Sequence, residues 1–167
     1  MASQRYFIRH VNVHFFVKVN KFLIITFGIH AFFIQFGSRM IYSLTTCNVT
    51  VSVESKYHDL NSEQSDDHIF VYRVNISNQG DEPVQLLRRH WFIFDSLGTH
   101  SEVQGEGVVG EQPLLLPGES HEYVSWSPLK SDLGKMSGHY TFVNVRDGQE
   151  FVVDIPEFML MPKYLMN

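Results

Sequence analysis

The sequence predicts an all-β protein: a single antiparallel sandwich, immunoglobulin-like or fibronectin type III-like, of about seven strands. Three observations lead there. Apolar residues recur at every second position from Cys47 onward, turn-forming pairs punctuate those runs at short intervals, and no helical period follows the one glycine-rich run.

Taken in order, Val49, Val51 and Val53 alternate with polar residues, then Phe70, Tyr72, Val74 and Ile76 alternate against Ile69, Val71, Arg73 and Asn75. Two strands follow from this period of two. Val84 to Asp95 holds Leu86, Leu87, Trp91, Phe92, Ile93 and Phe94, apolar on both faces, which marks a central strand. Asn78-Gln79-Gly80-Asp81 and Ser96-Leu97-Gly98-Thr99 flank it with turn chemistry. Further strands are expected around Ser101 to Val109 and over Glu119 to Trp126. His139 to Val145 and Gln149 to Ile155 complete the set, joined around Asp147-Gly148, a pair suited to a two-residue type I′ turn.

At 167 residues, 44% hydrophobic and 14% aromatic, the chain holds one globular domain with an appendage. Cys47 is its only cysteine, so no intramolecular disulfide forms, and a reducing, cytoplasmic setting is expected. The sequons Asn48-Val49-Thr50 and Asn75-Ile76-Ser77 lie in alternating stretches and read as coincidental.

Charge divides the chain. Residues 1–39 carry five basic and no acidic side chains, which leaves eight basic against eighteen acidic residues in 40–167, a formal −10. So acidic a domain repels phosphate backbones and argues against nucleic acid as a partner. The extension 1–39 also holds an apolar block, Phe22 to Phe36, behind Lys18 and Lys21. Three readings compete for it: a signal anchor that would tie the protein to a membrane, an acid-poor transit peptide addressing an organelle, or sequence upstream of a true start at Met40.

Gly105-Glu106-Gly107-Val108-Val109-Gly110 satisfies the GxGxxG pattern, yet Pro113 and the short apolar run Leu114 to Leu116 follow where a dinucleotide site needs a helix. The glycines therefore serve tight turns and close strand approach, or bind an anion through successive N–H groups. Arg88 and Arg89 form the only adjacent basic pair, and a regular strand points them to opposite faces, so a phosphate clamp would need a bulge. His90-Trp91 reads as a packed pair at a strand end.

No metal site is expected. His121-Glu122 begins like HExxH but Ser125 breaks it, and Asp66-Asp67-His68 reads as a solvated loop. Nothing shows the spacing of a nucleophilic triad, and Cys47, opening a strand, reads as an incidental thiol.

Several motifs occur together and in order: Leu86-Leu87-Arg88-Arg89-His90-Trp91, Gly105 to Pro113, Pro117-Gly118-Glu119, Gly134-Lys135-Met136-Ser137-Gly138-His139-Tyr140, and Ile155-Pro156-Glu157-Phe158. Together they resemble the ApaG family over roughly Thr46 to Asn167. Many bacterial members begin just before the first strand, where Met40 stands, so the resemblance favours the start at Met40. It also implies a fibronectin type III-like sandwich, an association with cobalt tolerance and magnesium efflux, and, where the module is attached to F-box and polymerase-interacting proteins, partner binding. Trp126 departs from the small residue the family commonly has there.

The expected function is thus a non-catalytic binding or protein-interaction module without a cofactor, acting on a protein partner of unknown identity or assembling as a homo-oligomer. The alternative is a protein that grips a phosphorylated small molecule, a nucleotide polyphosphate among them, with the Gly105–Gly110 loop and Arg88 or Arg89. Candidate contact residues are Gly105, Glu106, Gly107, Gly110, Arg88, Arg89, His90 and Trp126.

Overall fold

The computed structural model describes residues 16–19, 22–25, 40–58 and 67–165. Within the extension, β1 (Phe16–Val19) and β2 (Phe22–Ile25) pair antiparallel. The rest of the apolar block lies outside the described residues, and so does Asp66. Among the described residues no helix is long and apolar enough to cross a membrane.

From Met40 on, nine strands follow: β3 (Ile41–Thr46), β4 (Val49–His58), β5 (His68–Asn78), β6 (Val84–Asp95), β7 (His100–Glu106), β8 (Leu114–Leu115), β9 (Ser120–Leu129), β10 (Gly134–Asn144) and β11 (Glu150–Leu160). They form two antiparallel sheets, ordered β3-β4-β5-β9 and β11-β10-β6-β7, with β8 beside the start of β6. The expected sandwich is present, with more strands than seven. The two extra ones, β3 and β8, left little trace: β3 is half-buried throughout, with no alternation to read, and β8 is two residues long.

Between the sheets lies one core. Val49, Val51, Val53, Phe70, Val74 and Ile76 come from the first sheet and meet Leu86, Trp91, Met136, Tyr140, Phe142 and Phe158 from the second. Each such side chain contributes about 1.5–3 kcal/mol on burial. Trp91 anchors the middle, with ring centroids 5.5 Å from Tyr72 and 6.0 Å from Phe158. Tyr123 and Tyr140 share a hydrogen bond of 2.5 Å, and burial pushes both phenols above their ordinary range.

Two turns correct the sequence reading. A two-residue turn with positive φ at both positions, expected at the β10–β11 connection, occurs instead at Cys47-Asn48, at 50° and 61°, between β3 and β4. Cys47 therefore does not open a strand, and Asn48 sits at an exposed hairpin tip rather than in a ladder. At Asp147-Gly148 only Gly148 has positive φ, and its N–H reaches back to the Asn144 carbonyl at 2.9 Å. The β10–β11 connection is thus a four-residue loop, 145–148, because Asn144 still pairs with Gln149 across it.

Two bulges shape the second sheet. On β6 the register against β10 runs from Arg88↔Thr141 to Leu86↔Phe142, so Leu87 is the extra residue. On β11, Pro156 and Glu157 face Ser137 alone, which places a proline where the ladder is already interrupted. At the far end of β6, buried Asp95 ties three segments together. Its carboxylate accepts from Leu97 N at 2.9 Å, Lys130 N at 2.7 Å and the Ser131 hydroxyl at 2.6 Å.

Candidate functional site

The glycine run is built around the Leu87 bulge. The Leu87 carbonyl accepts from Gly107 N and from the Gln112 side chain, both at 2.8 Å. Beyond Gly107 the chain folds into a tight turn in which Val108 and Glu111 exchange backbone hydrogen bonds of 2.7 and 3.0 Å. Val109 and Gly110 fill its centre at φ 50° and 82°. A β-branched residue at positive φ is a strained conformation, and Val109 is held in it by fully buried Val108 before it and the bridge after it. Gly107, at φ 53°, has no alternative: a Cβ there would stand 2.0 Å from the Glu111 carbonyl oxygen. The strand β8 comes next, so no helix N-terminus faces the glycines.

Arg89 locks this loop to the sheet. Its guanidinium donates to the carbonyls of Glu106 at 2.8 Å and Gly107 at 2.9 Å, and lies where a side chain on Gly105 would be, 3.0 Å from that position. Arg88 points to the opposite face and pairs with Glu150 at 2.5 Å. A bulge does occur here, as a shared clamp would need, but one residue early, so the two arginines still alternate.

His90 is the hub of the outer face. Its ring meets the Glu102 carboxylate at 2.8 Å and the Gln104 amide at 3.2 Å, and packs against His139, its cross-strand partner, at a centroid distance of 5.0 Å. His90 and Trp91 therefore stand in mid-strand on opposite faces, not as a packed pair at a strand end, because the two-residue period separates them. Glu106 accepts from Gln112 at 2.9 Å.

These side chains surround a shallow depression of about 350 Å³. It brings together Arg88, Arg89, His90, Gly105 and Glu106 from the expected set, and Gln104, His139 and Thr141, which sequence reasoning missed. Their signal was register: His139 reaches His90 only through the β6–β10 pairing, which no local pattern announces. Gly107 and Gly110 do not line it, and Gly110 stands at the open tip of the turn. Trp126 is elsewhere, 61% exposed on the outer face of β9. Among the described residues no group of three His, Cys, Asp or Glu side chains converges on a metal position. His68 bonds instead to the Tyr57 hydroxyl and Asp67 to Lys130.

Fold and site together define a class: a fibronectin-like sandwich carrying a glycine-rich edge loop and a depression whose ionic groups are matched internally. The ApaG domain model matches residues 58–144. A Protein ApaG of Paramagnetospirillum magneticum is 47% identical over 121 residues, covering 72% of this chain and 92% of its own. Another, of Ralstonia nicotianae, is 48% identical over 119 residues, covering 70% and 95%. The crystal structure of a protein named ApaA from Bordetella pertussis superposes with a TM-score of 0.65 at 43% identity, over 68% of this chain and 93% of that one. The chain belongs to the ApaG family.

Proposed function

We propose that the chain is a non-catalytic interaction module that holds a protein partner on the face bearing Trp126. The supporting observation is the exposure of that side chain. A tryptophan 61% exposed on a regular strand, with Val124 50% exposed two residues away, is a large apolar surface that a partner would cover. The depression supports the same reading from the other side. Arg88, Arg89, His90 and Glu106 are each engaged by a protein neighbour, which describes a fixed shape rather than a nucleophile beside a base.

Crosslinking capture from native cells tests this with Trp126→Ala and, as a control, Glu106→Gln. Capture should fall with the first and persist with the second. The reverse pattern would move the contact to the depression. In this reading the link to cobalt tolerance and magnesium efflux implied by the family runs through the partner, so Trp126→Ala should fail to restore cobalt tolerance to a strain lacking the protein.

A second reading has its own observation: Arg88, His90 and His139 share the depression with the Thr141 hydroxyl, a donor set suited to a phosphate. It predicts retention of a dinucleoside tetraphosphate in equilibrium dialysis, lost in Arg88→Gln. No retention by the wild type would dispose of it.

A further inference from the structure

The two sides of the sandwich differ. On one, β3 and β4 are stitched to β11: the Ser55 hydroxyl donates to the Met159 carbonyl at 2.7 Å, and Asp154 N donates to the Thr46 hydroxyl at 3.4 Å. On the other, β7 and β9 end their sheets with no further strand beside them among the described residues. Such an edge is a row of N–H and C=O groups open to another chain.

Of the two, β7 is seven residues long and alternates His100, Glu102, Gln104 and Glu106 along its outer face, a polar edge of the kind that resists pairing. The strand β9 is ten residues long and carries Glu122, Val124 and Trp126 outward, with Val71 of β5 directly beside Trp126 in register. Its backbone also faces the right way. In an antiparallel ladder alternate residues turn their polar groups to the partner strand and the rest away. Glu119 spends its carbonyl inward on Asn78 N, at 2.9 Å, so Glu122, Val124 and Trp126, of the other parity, direct theirs to the open side. Pro128 shares that parity, where a missing N–H costs the ladder nothing, and it closes the open stretch at its C-terminal end.

Charge selects what fits. Glu119 and Glu122 belong to this edge and Glu111 stands beside its His121; Arg73 pairs with Glu122, but the domain as a whole carries eight basic against eighteen acidic residues. We infer that β9 receives an extended, positively charged segment of a partner protein as an added strand over Ser120–Trp126, with apolar side chains of that segment set beside Val124 and Trp126. This rests on the interaction reading above and names the form of the partner.

The test uses the full chain at about 0.15 M salt and a capped peptide of about ten alternating valines and lysines. One control is the same peptide N-methylated at every residue, which keeps its side chains and charge but removes the donors of both edges. The other has glutamate in place of lysine. Expected is at least ~10-fold slower hydrogen exchange at the amides of Glu122, Val124 and Trp126 with the first peptide alone. Absence of that protection, or equal protection by either control, would overturn strand addition, whereas the crosslinking result with Trp126→Ala decides the interaction reading separately. Concentration-dependent protection of the same amides without peptide would overturn it too, by making a second copy of the chain the occupant.

Discussion

Replacing Gly107 by alanine should damage the fold far more than any binding. At φ 53° an alanine costs about 1–2 kcal/mol from backbone sterics alone. The new Cβ, 2.0 Å from the Glu111 oxygen and 2.7 Å from its carbon, also forces that carbonyl away. The Val108 N–H then loses its partner, and a buried donor without an acceptor costs roughly another 1–3 kcal/mol. A total of about 2–5 kcal/mol corresponds to a fall in melting temperature of roughly 5–20 °C for a domain of this size. Gly110→Ala is the internal control: φ is 82° there, but a Cβ meets nothing within 4 Å, so only the backbone cost of about 1–2 kcal/mol applies. Calorimetry on both variants, with dialysis against a dinucleoside tetraphosphate alongside, separates architecture from ligand binding. A Gly107→Ala protein that melts with the wild type but no longer retains the tetraphosphate would refute this reasoning and favour the phosphate reading.

Three further outcomes are expected. Met40 to Asn167 should fold without the extension, because both sheets of the sandwich lie beyond it; a featureless near-UV circular dichroism spectrum for this fragment, beside a folded full chain, would contradict that. With magnesium, manganese or cobalt the protein should leave dinucleoside tetraphosphates intact by chromatography, since the acids near the loop, Glu102, Glu106 and Glu111, have no second basic cluster to neutralise a transferring phosphoryl group; product that disappears in Glu106→Gln would reveal an enzyme. Burial raises the pKa of Asp95, but its hydrogen bonds from Ser131, Leu97 and Lys130 outweigh this and hold it below the ordinary carboxylate range. That stability is present above the unfolded-state pKa and is lost as pH falls through the folded one. Asp95→Asn should therefore cost about 2–3 kcal/mol in urea melts near neutrality and progressively less in acid.

What could be read from the residues alone was whatever repeats locally. Alternation placed β4 and β5, apolar character on both faces placed β6, turn pairs framed β7, β9, β10 and β11, and the Pro113 break ruled out a helix after Gly110. Two kinds of information stayed hidden. One was backbone conformation chosen by tertiary fit: Cys47-Asn48 takes the doubly positive turn because β3 and β4 pair flush against it, while the more suggestive Asp147-Gly148 does not. The other was pairing between distant strands. His139, Gln104 and Glu150 join Arg88 and His90 only through register, and Arg89 turns inward to hold two carbonyls, a role its sequence neighbour does not share.

The extra residue at Leu87 makes β6 two strands spliced out of phase. Upstream, Val84 and Leu86 face the core; downstream, the inward set is Arg89, Trp91 and Asp95. Deleting Leu87 would restore uninterrupted alternation, and the strand would look more regular for it. Both inward sets would keep their facing, since Leu86 and Arg89 would then stand two positions apart, but the carbonyl from which the glycine loop hangs would be gone. The irregularity is thus an inserted acceptor, and a more uniform strand here would keep the core but leave the loop without its anchor.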